Sequence, residues 1–148
     1  GLKALDVFAG YDLVIVSHSS GFRAPNDQEM EADATAKIKA SSAHLLTTTH
    51  AFGGIGRAVR RKLGAYEVDE IIAFTLRTFC EGTKVSCEIS LMACDAGLIP
   101  AGEPVIAIGG TGHGADTALV LLPANAQDLF DLRVLEVICK PRCGGHTS

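Results

Sequence analysis

The sequence predicts an α/β fold, a mostly parallel sheet flanked by helices with a strand pair near the C-terminus. Three observations predict it. Short runs of aliphatic residues alternate with longer stretches of helical spacing, and Gly, Pro, Asn and Asp separate them. The order strand, helix, strand, helix, strand is the pattern of parallel crossovers. A chain of 148 residues with 47% hydrophobic and 20% charged side chains suits one core.

Leu2, Leu5 and Phe8 are spaced like one face of a short helix, and Gly10 stops it. Leu13-Val14-Ile15-Val16 reads as a parallel strand buried on both faces. Residues 17–27 are polar and read as a loop, and Pro25-Asn26-Asp27 offers the start of a helix. That helix is expected to run to about Ser41, burying Met30, Ala34 and Ile38. Leu45-Leu46-Thr47-Thr48 is a second short strand, followed by the glycine-rich turn Gly53-Gly54-Ile55-Gly56. Val68, Ile71, Ile72, Leu76 and Phe79 recur at helical spacing up to Gly82, and Val85, Ile89, Met92 and Ala96 do so up to Gly97. The last third holds three strand candidates: Val105-Ile106-Ala107-Ile108, Ala118-Leu119-Val120-Leu121-Leu122 and Val134-Leu135-Glu136-Val137-Ile138. The chain reads as a single domain over residues 1–143 with a loose tail at 144–148. Because Gly1 opens directly inside a helical pattern, a further segment is expected ahead of it.

Thirteen basic against seventeen acidic residues give a formal net charge of −4. The basic residues gather only at Arg57, Arg60, Arg61 and Lys62, which read as a solvated helix face, so nucleic acid is not an expected partner. No apolar run reaches the ~18 residues of a membrane span, and the start lacks a basic-then-apolar signal segment. Five cysteines without a disulfide framework point to a reducing, cytoplasmic compartment. A homo-oligomer stays open.

Parallel sheets bind ligands at the carboxyl ends of their strands, which draws attention to residues 17–23, 48–56 and 109–117. In the last of these, Gly109-Gly110-Thr111-Gly112-His113-Gly114-Ala115-Asp116-Thr117 leaves backbone N–H groups free to approach an anion, although the same residues also make a tight turn between strands. It lacks the following helix or the Gly-Lys-Ser/Thr ending of the known nucleotide loops. His18 and His50 each sit just past a strand. With His113 they offer three imidazoles for a metal, but no two stand at short ligand spacing, so hydrogen bonds to loop or ligand are expected and no metal. Cys80, Cys87 and Cys94, seven apart, read as small buried hydrophobes. Glu88 and Asp95, also seven apart, read as capping or ion-pairing groups, with acid–base chemistry conceivable.

Taken together, residues 17–22 and 48–54, Gly82-Thr83-Lys84-Val85, Met92-Ala93-Cys94-Asp95-Ala96-Gly97, residues 110–118 and Lys140-Pro141-Arg142 resemble the free-standing pyruvate kinase C-terminal domains, a prokaryotic and mainly archaeal group. The resemblance runs from about Leu2 to Arg142. It implies a pyruvate kinase C-terminal domain-like fold without the kinase's catalytic Lys, Arg and metal-binding acids, hence no kinase activity. It implies a cleft for a small phosphorylated ligand, with FMN the first candidate cofactor. The positions that match its loops are Ser17, His18, Gly21, Phe22, Thr49, His50, Gly110, Thr111, Gly112, Gly114, Asp116 and Thr117. It also implies an N-terminal strand and a Ser-Gly-Thr loop ahead of Gly1, the strand lying between Leu13-Val14-Ile15-Val16 and Val105-Ile106-Ala107-Ile108. Two other readings remain: a small flavin-dependent or metal-dependent enzyme, and a regulatory subunit that docks on another protein.

Overall fold

The structure is a computed structural model, and it describes residues 1–112 and 114–142. His113 and the tail at 144–148 lie outside the described residues. The chain divides into two compact units, Gly1–His50 and Ala51–Ser148.

The first unit contains α1 (Leu2–Val7), β1 (Val14–Ser17), α2 (Ala32–Lys39) and β2 (His44–Thr47). Strands β1 and β2 pair in parallel, from Val14 opposite His44 to Ser17 opposite Thr47. Helix α2 is the crossover between them, and it buries Ile38 while β1 buries Ile15. The helix expected to start near Asp27 begins only at Ala32. Two local features keep the preceding residues out of helix. Asn26 takes a left-handed φ of 64°, and Asp27 turns its N–H back to the Ala24 carbonyl (3.0 Å) while its own carbonyl accepts from Gly21 N (2.7 Å).

The second unit starts with three helices, α3 (Ile55–Leu63), α4 (Val68–Arg77) and α5 (Glu81–Asp95). Strands β3 (Val105–Gly109) and β4 (Thr117–Leu122) follow, then a 3-10 helix (Ala126–Asp131) and β5 (Arg133–Cys139). Helix α5 is buried along most of its length against β3 and β4. The core of this unit is Phe52, Ala73, Cys87, Leu91, Ala107, Leu119 and Leu121. Arg60 of the basic run on α3 donates from Nε to the buried Glu70 of α4 (2.7 Å).

The described strands overturn the mostly parallel sheet. They form a two-stranded parallel sheet, β1-β2, and a three-stranded antiparallel sheet, β3-β4-β5. The pattern is therefore mixed α and β. The physical reason lies in the connections. Seven residues, 110–116, join β3 to β4, and a parallel crossover needs a dozen or more. Alternation of strand and helix holds through residue 47 and ends with α5, so the last three strands meander. Strand β1 pairs with β2 and strand β3 with β4, each at the edge of its own sheet among the described residues. Among the described residues no helix is long and apolar enough to cross a membrane.

Candidate functional site

In the first unit the polar groups gather where β1 and β2 end. Ser17 is buried, and its Oγ lies 2.6 Å from Thr47 Oγ1 on the neighbouring strand. The chain then enters the loop of residues 18–31, whose side chains fold back on its start. His18 Nδ1 is 2.6 Å from Glu29 Oε2, and the other carboxylate oxygen of Glu29 pairs with Arg23 Nε at 2.5 Å. The hydrogen bond from His18 is the largest influence holding the Glu29 carboxyl below its usual range, with the charges of His18 and Arg23 acting the same way against desolvation. Gln28 donates from Nε2 to the His18 carbonyl (2.9 Å) and accepts from Met30 N (3.0 Å). The His18 ring stacks on Phe22 at 4.2 Å between centroids, and Phe22 stacks on His50 at 5.3 Å. His50 Nε2 accepts the Ser19 N–H at 3.4 Å. Three aromatic rings from two loops thus form one group.

Beside this group lies a cavity of about 430 Å³, open on one side, lined by Ser17, Ser20, Thr35, Thr47, Gln28 and Lys39, with Met30 and Leu45 as its apolar members. Thr35 and Lys39 are one helical turn apart on α2, and Leu45 and Thr47 share a face of β2, so helix and strand periods both aim side chains into it. Among the described residues no carboxylate lines it. Lys39 is exposed and has no ion-pair partner among the described residues. Four hydroxyls, a carboxamide and one ammonium make this a donor-rich site suited to an anion.

The glycine-rich loop belongs to the second unit and is the β3–β4 turn. Asp116 N donates to Gly109 O (3.0 Å), closing the turn next to the Gly109–Thr117 pair. The Asp116 carboxylate accepts from the hydroxyls of Thr111 and Thr117, the latter at 2.7 Å, and the Thr111 bond, followed by the Thr117 bond, holds its carboxyl below the usual range. Gly110 lies so close to the Gly114 carbonyl that a Cβ there would overlap it, and Gly112 has a φ of 95°. Thr117 is buried and its Oγ1 lies 3.4 Å from Cys80 Sγ, at the cap of α5.

Of the residues singled out in the sequence, Ser17, His18, Phe22 and His50 come together at the strand ends of the first unit. Gly21 lies in the same loop with a φ of 83°, and Thr49 is exposed. Gly110, Thr111, Gly112, Gly114, Asp116 and Thr117 gather in the turn of the second unit, and His113 is outside the described residues. Sequence reasoning missed Glu29, Thr35, Lys39 and Thr47. The (i, i+4) spacing of Thr35 and Lys39 and the alternation along β2 carried a signal for three of them. Glu88 and Asp95 do not share a role. Glu88 is buried, paired with Lys84 and bonded to Phe52 N, whereas exposed Asp95 accepts from Asn125 Nδ2 and Ala126 N at the start of the 3-10 helix. Among the described residues no group of three or more His, Cys, Asp or Glu is placed to hold a metal ion. A comparison with protein-family models found no match.

Proposed function

We propose that the Gly1–His50 unit binds a phosphorylated aromatic cofactor, with FMN as the first candidate, and that the chain has no pyruvate kinase activity. One observation carries the reading: a cavity lined by four hydroxyl-bearing residues and by Lys39, whose ammonium has no ion-pair partner among the described residues, adjoins the loop that bears the rings of His18 and Phe22, on which His50 packs from a second loop. A phosphate monoester needs several donors and a cation, and a flat heterocycle gains from stacking on rings. Ser17, Ser20 and Gln28 would serve the phosphate, and Phe22 the ring. The resemblance to free-standing pyruvate kinase C-terminal domains leads to the same class of ligand. The β3–β4 turn is a poorer place for the phosphate, because the ionised Asp116 within it repels a second anion.

Titration with FMN and with riboflavin, followed by flavin fluorescence, tests the reading. FMN is expected to bind at least about tenfold more tightly than riboflavin, and Lys39→Ala to remove that advantage, about 1.4 kcal/mol. Equal affinity for the two flavins would reject a phosphate site here.

A further inference from the structure

The two rim histidines are chemically unlike. His50 has its Nε2 engaged by the Ser19 N–H (3.4 Å). His18 instead has its Nδ1 held by Glu29 (2.6 Å), and its Nε2 has no hydrogen-bond partner among the described residues. The Glu29 carboxylate is kept ionised, with Arg23 on its other oxygen at 2.5 Å. An ionised carboxylate accepts, so Nδ1 must carry the proton, which leaves the lone pair on Nε2. Phe22 stacks on the face of the ring at 4.2 Å and 24°, which fixes its plane as well as its edge. The side chain is still 49% exposed, so water reaches it. A carboxylate that sets the tautomer, a fixed ring and a free Nε2 are the parts of a general base. A surface histidine chosen for solubility needs none of them.

We infer that His18 is a general base that activates water for the hydrolysis of small acyl esters, and that Glu29 is its positioning residue. The inference is independent of the phosphorylated ligand. Water is the co-reactant present at a half-exposed imidazole. An ester of an acidic alcohol is the electrophile that one base suffices to hydrolyse, since its alkoxide leaves without protonation. In the step, Nε2 takes a proton from water as the water oxygen bonds to the acyl carbon. The tetrahedral adduct then breaks its bond to the leaving oxygen, releasing the alkoxide and the carboxylic acid, and His18 returns its proton to solvent. No oxidant, reductant or metal enters the balance.

The probe is p-nitrophenyl acetate, used with the full chain and compared with an equal concentration of N-acetylhistidine amide. The protein is expected to exceed the free imidazole by at least about tenfold. His18→Gln should fall to the spontaneous rate, while His44→Gln, at an exposed histidine elsewhere on β2, should keep the full rate. Glu29→Gln should lower the rate at least about tenfold, because a carboxamide no longer holds the proton on Nδ1, while Glu29→Asp, which keeps a carboxylate, should retain most of it. A merely structural role would leave Glu29→Asp as slow as Glu29→Gln. A rate no greater than that of the free imidazole would overturn the inference, as would full activity in a folded His18→Gln protein. If His18→Gln does not fold, full activity in Glu29→Gln overturns it instead.

Discussion

Burial decides the chemistry of Cys87. Its side chain is 1% exposed within α5, and desolvation of the thiolate pushes the thiol up to about 11. Cys94, on the same helix, is also raised, first by burial and then by the charge of Asp95. Cys139 at the end of β5 is exposed. Brief alkylation with iodoacetamide at mildly alkaline pH should therefore label Cys139 and leave Cys87 and Cys94 unmodified until denaturant is added. Peptide mapping reads the outcome, and equal labelling of Cys87 and Cys139 in the native protein would show that α5 is not packed as described. The burial of Cys87 and Cys94 was legible, because cysteines without partners at ligand spacing behave as small apolar residues, whereas the exposure of Cys139 was not. The partner of His18 was not. Glu29 reaches it across eleven positions of a loop with no periodicity, and only the turns at Asn26 and Asp27 bring the two together.

The element most tightly specified is α5, and it carries an ion pair in its interior. Lys84 Nζ lies 2.5 Å from Glu88 Oε2, with side chains 7% and 3% exposed, and Glu88 Oε1 accepts the Phe52 N–H at 2.9 Å. The carboxylate thereby holds the backbone at the start of the second unit. Removing one member leaves a buried charge without its partner, so Lys84→Met should destabilise by about 3–5 kcal/mol in urea unfolding. The double variant Lys84→Met, Glu88→Leu should recover part of that, losing mainly the bond to Phe52 N, about 1–3 kcal/mol. A single variant as stable as the wild type would mean that the pair is solvated. Helical spacing of apolar residues located α4 and α5 in the sequence, but a burial pattern that includes Lys84, Ser86 and Glu88 has no such signature. Strand positions were legible too, since each aliphatic run became a strand. Their directions depend on what connects them, and the seven residues between β3 and β4 make an antiparallel pair within what alternation suggested was a mostly parallel sheet.

At the scale of the molecule the two units differ in what holds each together. The Ala51–Ser148 unit owns a connected apolar core in which Leu119 and Leu121 of β4 and Leu91 of α5 are buried almost completely. The Gly1–His50 unit buries Ile15 and Ile38 as its apolar residues, around a two-stranded sheet. Free energy of opening follows buried apolar contact, and a sheet of two strands is marginal by itself. Native-state hydrogen exchange should therefore rank the units. Amides of α5 and β4 are expected to exchange most slowly, and those of β1 and β2 at least about tenfold faster. Equal protection of β1 and β4 would show that the first unit has stability beyond what its own burial supplies. The ranking also bears on binding. A ligand held by Ser17, Thr47 and Lys39 touches only the less stable unit and stabilises the bound form by mass action. Saturating FMN should then slow exchange in β1 and β2 while leaving the slowest amides of α5 as they were, whereas slowing confined to α5 would move the ligand away from the first unit.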